Sequence, residues 1–218
     1  MKPYYQDDYV TLYHGDCREI LPGLGKFDLL LTDPPYGLGD RWTGGGSWQH
    51  HKGIYTEAKI WDQERISKET MEMALGAATA GIVWGGNYYT DMLPVSRSWL
   101  AWEKAEKMNT LADFELAWAS FEFPAKMFRE RRNPDGRRQH PTAKPESVMK
   151  WCIKQADSHG EAATIIDPFA GSGTTGRAAK DLGRKCTLIE QSEKYCELTI
   201  KRMAQEVFDF SEPIKDQK

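Results

Sequence analysis

The sequence has few cysteines and no pattern among them. The four, Cys17, Cys152, Cys186 and Cys196, include no C-x-x-C pair. Without spaced thiols no zinc site is expected and no metal is assigned. A reducing cytoplasm is the simplest setting. Long apolar runs are missing too, so no membrane-spanning helix is expected. The opening Met1-Lys2-Pro3-Tyr4-Tyr5-Gln6-Asp7-Asp8 has no apolar h-region, and no signal peptide is expected. Positive charge is not in excess: the net charge of -3 counts, on the global sum, against a polyanionic partner. No repeat of fixed period is visible.

What is present is an ordinary globular composition. Of 218 residues, 40% are apolar and 28% charged, enough for a single domain over 1–218 with a substantial core. The eight tryptophans divide between core packing and possible stacking surfaces.

The apolar runs are short and end at Gly, Pro or Asp. Val10 to Tyr13 reads as a strand ending at His14-Gly15-Asp16, with a brief helix at 19–24. Phe27 to Thr32 (FDLLLT) is nearly continuous and apolar, the pattern of a strand buried on both faces, and it stops at Asp33-Pro34-Pro35-Tyr36-Gly37. Residues 38–60, with Gly44-Gly45-Gly46, Trp42 and Trp48, form a long glycine-rich loop. A helix is predicted over 67–80, capped by Ser67, then a strand at 81–84. A pair of strands follows at 99–103 and 115–119. The Pro-, Gly- and Arg-rich stretch 123–144 reads as loop. Helical spacing returns at 146–156, a strand at 163–166, a helix after 174, a strand at 186–189 and a final helix over 193–207. Strands alternating with helices predict an α/β fold: an open, mostly parallel twisted sheet with helices on both faces.

In such sheets ligands sit beyond the carboxyl ends of the strands. Asp16, Asp33, Asp167 and Glu190 each follow a predicted strand. Four acids at one sheet edge repel one another unless a polyhydroxylated, cationic ligand joins them.

Two motifs carry chemistry. Asp167-Pro168-Phe169-Ala170-Gly171-Ser172-Gly173-Thr174-Thr175-Gly176 lies between strand and helix, where glycines let the backbone turn and approach a ligand. Glu190 ends the next strand, where a ribose-binding acid belongs. This half points to an adenosine-containing cofactor without choosing between NAD and S-adenosylmethionine. The second motif, Asp33-Pro34-Pro35-Tyr36, makes the choice. Its prolines remove two backbone donors, leaving carbonyls, a carboxylate and an aromatic face. Asp33 and the Pro34 carbonyl suit an amino group with two hydrogens, whose lone pair then faces an electrophilic methyl group. Tyr36 suits stacking on the base that carries the amine.

These motifs resemble those of the amino-methylating DNA methyltransferases. With the catalytic motif ahead of the cofactor motif, the order is similar to the circularly permuted beta class, which has a Rossmann-like fold. His140-Pro141-Thr142-Ala143-Lys144-Pro145 and His14-Gly15-Asp16-Cys17 extend the likeness over residues 10–37 and 139–205. The resemblance implies S-adenosylmethionine as cofactor and double-stranded DNA as partner, with a flipped-out adenine N6 as leading target. It implies that Asp16 meets the cofactor's adenine. Asp33, Pro34, Pro35 and Tyr36 hold the target, and Asp33 also faces the cofactor's methionine part. Phe169, Gly171, Gly173 and Thr174 line the methionine and sugar, with Asp167 nearby. Glu190 binds the ribose, and His140, Thr142 and Lys144 shape the methionine end. It also implies a bacterial, archaeal or phage origin and a place in restriction-modification.

Arg129, Arg131, Arg132, Arg137 and Arg138, within the short basic segment 120–140, are the candidate DNA contacts. That segment is short for a recognition insertion, which leaves the 38–60 loop or a homodimer to supply further surface. Cytosine N4, RNA, a glutamine side chain, or a catalytically silent DNA-binding accessory remain alternatives. Cytosine C5 chemistry is disfavoured, since no cysteine sits in a P-C motif at a strand end.

Overall fold

The computed structural model describes residues 1–39, 62–106, 112–132, 143–160 and 162–205. Nine strands form one sheet: β1 (Tyr5–Gln6), β2 (Val10–His14), β3 (Phe27–Thr32), β4 (Ala78–Trp84), β5 (Trp99–Lys104), β6 (Phe114–Ala119), β7 (Lys126–Glu130), β8 (Thr164–Asp167) and β9 (Lys185–Glu190). Their spatial order is β1-β2-β9-β8-β3-β4-β6-β5-β7. The five strands from β2 to β4 run parallel. The strand β6 is antiparallel to both β4 and β5, while β7 is parallel to β5. The helices are α1 (Cys17–Ile20), α2 (Lys68–Gly76), α3 (Glu146–Asp157), α4 (Thr174–Asp181) and α5 (Glu193–Met203).

The double-sided burial expected of FDLLLT is realised. Leu29 and Leu31 join one core cluster with residues of α3, α4 and α5, whereas Leu30 joins a second with residues of α1 and α2. Adjacent residues of β8 and β9 divide the same way: Ile165 and Leu188 face the first cluster, Ile166 and Ile189 the second. Period-2 side-chain alternation in a sheet covered on both faces makes every position apolar. Helices therefore lie on both faces, as expected.

Three expectations need correction. The helix read over 67–80 stops at Gly76, and Ala78 to Ala80 open β4. Alanine favours helix in isolation, but pairing of Phe27 with Ala78 and Leu29 with Ala80 overrides that preference. The stretch 123–144 is not all loop, because Lys126–Glu130 forms edge strand β7. Of its side chains Phe128 packs on the core, beside Trp151, so no apolar run announced it. The brief helix begins at Cys17 rather than 19, with the Asp16 carboxylate accepting from Arg18 N as its cap. Residues 40–60 of the glycine-rich loop, with Trp42 and Trp48, lie outside the described residues, as does the far end of the last predicted helix. Among the described residues no helix is long and apolar enough to cross a membrane.

The topology predicts equal sensitivity on the two faces of β3. Leu30→Ala and Leu31→Ala should each lower unfolding free energy by about 3 kcal/mol in urea titrations. A neutral result for either would contradict double-sided burial.

Candidate active site

The chain crosses the sheet in opposite directions on either side of β8 and β3. From β8 it passes through α4 to β9 on one side; from β3 it passes through α2 to β4 on the other. A crevice is expected at such a switch point. A cavity of about 750 Å³ opens there, within the size range of small-molecule sites. Asp16, Asp33, Asp167 and Glu190 all line it, together with Pro34, Pro35, Tyr36, Lys144, Phe169, Gly171 and Thr174. Four strand ends thus bring four carboxylates, from positions up to 174 residues apart, to one edge.

Their surroundings differ. The Asp167 carboxylate is turned into the protein. Its Oδ1 accepts from Thr32 Oγ1 (2.7 Å) and Phe169 N (3.1 Å), and its Oδ2 from Thr175 Oγ1 (2.6 Å). Burial lifts its pKa to about 6 despite these bonds. It braces the glycine loop rather than offering a free acceptor. Glu190 accepts from Gly171 N (2.7 Å) and Ser192 N (2.8 Å), and burial lifts its pKa to about 7. Asp16 is held by the Arg18 guanidinium as well as by its backbone, and these bonds lower its pKa. Gly173 adopts φ +76, and a Cβ there would stand 2.6 Å from Thr199, so this turn admits only glycine at low cost. At Gly171 the same position is open space on the cavity wall.

The Asp33–Tyr36 turn is clamped from several sides. Asp62 accepts from Gly37 N (2.8 Å) and Leu38 N (3.3 Å), and Tyr89 Oη donates to the Pro35 carbonyl. Tyr36 Oη donates to Asp33 Oδ1. The Tyr36 ring stacks on Tyr88 with centroids 4.8 Å apart. It also lies so close to Gly85 (φ +65) that a Cβ there would sit 2.0 Å from the ring. Asp33 Oδ2 meets Lys144 Nζ at 2.5 Å. Lys144 also meets Glu115 Oε2 at 3.0 Å, and Glu115 Oε1 meets Lys104 Nζ at 2.6 Å. Burial raises the pKa of Asp33, against the lowering pull of Lys144. Burial works against the Glu115 charge as well, but two lysines outweigh it and bring its pKa to about 2.

Lys144 was placed by resemblance at the methionine end; here its ammonium is bound to the Asp33 turn. Glu115, Lys104 and Tyr88 carry no signal in the sequence, because each belongs to an ordinary strand or turn pattern. The Gly85-Gly86 pair after a buried strand was the one available hint. His140 and Thr142 lie outside the described residues, as do Arg137 and Arg138. Arg129 approaches Glu103 at 4.0 Å and Arg131 approaches Glu106 at 3.9 Å, while Arg132 donates to the Ala112 carbonyl. None of these three lines the cavity. Arg131 and Arg132 nevertheless follow β7, whose carboxyl end points to the same sheet edge as those of β3 and β4. All four cysteines are free and buried. Cys17 alone among them lines the cavity, and burial pushes its thiol up to about 11, unsuited to nucleophilic attack.

A Rossmann-like sheet with an acid-lined cavity at its switch point, a glycine loop on one strand and an acceptor turn on the next defines an S-adenosylmethionine-dependent methyltransferase. The sequence profile described as DNA methylase matches residues 55–201, and the chain belongs to that family of N6- and N4-amino DNA methyltransferases. Similar curated proteins include the type II methyltransferase M.ScaI of Streptomyces caespitosus, 26% identical over 94% of this chain and 84% of its own length. Another is M2.DpnII of Streptococcus pneumoniae, 24% identical over 94% and 93%. The solved complex of M1.HpyAVI with SAM superposes with a TM-score of 0.61 at 20% identity, covering 90% of this chain and all of that one. The cytosine-N4-specific PvuII DNA methyltransferase gives 0.64 at 16%, covering 95% and 91%.

One buried and one partly buried carboxyl make stability depend on pH. Asp167 and Glu190 hold their protons more tightly folded than unfolded. Their contribution is therefore fully present below the unfolded carboxyl range near ~4 and is lost as pH rises through about 6 and about 7. Thermal melts of the cofactor-free protein from about pH 5 to about pH 8 should show this decline. The double variant Asp167→Asn with Glu190→Gln should flatten it; an unchanged slope would contradict the assignment.

Proposed function

We propose that the protein transfers a methyl group from S-adenosylmethionine to the exocyclic N6 amine of adenine in DNA. The observation that carries this reading is the acceptor-only turn at the cavity wall. Pro34 and Pro35 have no N–H, and Tyr89 already occupies the Pro35 carbonyl. Asp33 and Pro34 line the cavity there, and the Asp33 carboxylate and Pro34 carbonyl are the acceptors this reading uses.

The residues of the glycine loop fit the cofactor. Glu190 and Asp16 offer carboxylates for hydroxyl and amino groups, Phe169 offers an apolar face, and the open side of Gly171 admits close approach. When bound, S-adenosylmethionine supplies a methyl group on a sulfonium, reactive enough that no covalent enzyme intermediate is required. Asp33 and the Pro34 carbonyl accept the two amine hydrogens and so aim the nitrogen lone pair across the cavity. Asp33 would also offset the positive charge that develops on the nitrogen as the sulfur–methyl bond is exchanged for the new N–C bond, and its carboxylate, on the cavity wall, would pass the released N–H proton to water. The clamps on the turn from Asp62 and Tyr89 fix these acceptors in advance, so orientation supplies most of the rate.

Asp33 at the first motif position favours adenine over cytosine, because the resembling enzymes of cytosine N4 more commonly carry serine there. The Tyr36 ring is the stacking surface for the extruded base. Tyr88 now lies on it and is exposed enough to be displaced. Arg131 and Arg132, which follow β7 toward the same sheet edge, are read as contacts to the phosphate backbone.

Incubation with labelled S-adenosylmethionine and double-stranded DNA, followed by nucleoside analysis, tests the reading. N6-methyladenine is expected; N4-methylcytosine would overturn the base assignment, and no labelled base would overturn the reaction. Asp33→Ala should lower turnover by about 1,000-fold or more while the fold persists in circular dichroism. Paired alanines at Arg131 and Arg132 should weaken DNA binding and reduce the salt slope by about 1 to 2. An unchanged slope would remove these residues from the DNA surface.

A further inference from the structure

Lys144 is a cation in an unusual position. Its side chain is 3% exposed, and it lies against an acceptor whose task is to receive hydrogens from an amine. Its three N–H donors are fully used, by Asp33 Oδ2 at 2.5 Å, Glu115 Oε2 at 3.0 Å and Tyr36 Oη at 3.2 Å. The Trp84 and Tyr36 rings stand 5.4 and 5.7 Å from it. An ammonium paired with Asp33 alone would neutralise that carboxylate and add a positive charge next to a nitrogen that is itself becoming positive. Glu115 prevents this by taking half of the ion pair. Glu115 is in turn fixed by Lys104, 8% exposed, at 2.6 Å from its other oxygen. The result is a neutral chain of alternating charge, Asp33–Lys144–Glu115–Lys104, running from the cavity into β6 and β5.

We propose that Glu115, held by Lys104, is a positioning residue that acts through Lys144 to keep the Asp33 carboxylate a strong acceptor for the target amine. This rests on the methyl-transfer reading above and adds to it two residues that do not line the cavity. Glu115 and Lys104 form neither of the two motifs, and they are 82 and 71 positions from Asp33 in the chain. Their strands reach the site because β6 inserts antiparallel between β4 and β5, which brings the start of β6 and the end of β5 to the cavity edge of the sheet.

The direction of the effect follows from the charges. The groups that face Asp33 are Lys144, Tyr36 and Glu115, with Asp167 on β8 and Tyr89 behind the turn. Those that face Glu115 are Lys144 and Lys104, with Asp33 and Tyr36 across Lys144; Lys104 is influenced by Arg132 beyond β7, and Lys144 by Cys152 on α3. Removing the Glu115 charge gives Lys144 wholly to Asp33, which then ionises more easily and accepts more weakly. Removing the Lys104 charge does the reverse: Glu115 draws Lys144 away, and Asp33 holds a proton more tightly. A role limited to stability has no reason to move Asp33 in opposite directions.

The test reads Asp33 directly. In the full-length, cofactor-free protein with carboxyl-13C aspartate, NMR titration should follow Asp33, assigned with Asp33→Asn. Glu115→Gln should move its midpoint down by about one pH unit, Lys104→Met should move it up by a similar amount, and Lys104→Arg should leave it at the wild-type value. In turnover on DNA, the acidic limb of the kcat profile should move the same ways. Glu115→Gln should lower kcat about tenfold while KM for S-adenosylmethionine changes less than about twofold. An unmoved Asp33 midpoint, or shifts of one sign in both variants, would overturn the proposal. If Glu115→Gln does not fold, the Lys104 pair decides it by the same midpoint. If the wild type methylates no base, the reaction assigned above is wrong, while the titration still judges the charge relay on its own.

Discussion

The junction of β3 and β8 is the constraint on which the site depends. Its backbone register covers two residue pairs, Leu29 with Ile165 and Leu30 with Ile166. Side chains close it at both ends. At the amino end Asp28 accepts from Thr164 N and Oγ1, at 2.7 and 2.8 Å, and Thr164 Oγ1 accepts from Asp28 N at 3.0 Å. At the carboxyl end Thr32 donates to Asp167 at 2.7 Å. Beyond that last bond the two strands part, one into the acceptor turn and the other into the glycine loop. The cavity is the space that their divergence leaves. A break in this junction would separate the two motifs even if each turn kept its own shape.

The gathering of four carboxylates is tolerable because each is treated differently. Asp167 is spent on hydroxyls, Asp16 on an arginine, Glu190 on backbone amides, and Asp33 on a shared lysine. Burial raises the proton affinity of three of them, while only Asp16, bound to its arginine, is lowered. The site is therefore built to hold polar groups that carry hydrogens or positive charge, and a methyl donor together with a base amine is such a pair. The rigidity of the acceptor turn has the same origin. Prolines without N–H groups cannot brace themselves through the backbone, so Asp62 and Tyr89 brace them from outside.

Legibility in the sequence followed the range of the interaction. The strand FDLLLT, the glycine loop and the four acids were readable because local pattern and strand-end position are properties of a few neighbouring residues. The end of α2 falls short of the helix the sequence predicts, because the residues after it pair with β3, a contact no local pattern carries. The edge strand β7 was missed because a strand half open to water carries charge where a buried one carries leucine. Lys144 stands out in the sequence as a residue, but its bonds to Asp33 and Glu115 depend on strands far from it in the chain.

By itself the sequence determined that a mostly parallel sheet would present a glycine loop after one strand and a proline-rich turn after another, since both depend on residue type at fixed short spacing. The motif order in the chain was equally plain. Only the tertiary structure decided what stands behind the turn. The antiparallel insertion of β6 carries Glu115 and Lys104 to the buried ammonium, and Gly85 leaves room for the ring of Tyr36. No local pattern encodes these contacts, because a charge pair or a ring against a glycine costs or gains energy only once the strands that bear them are neighbours.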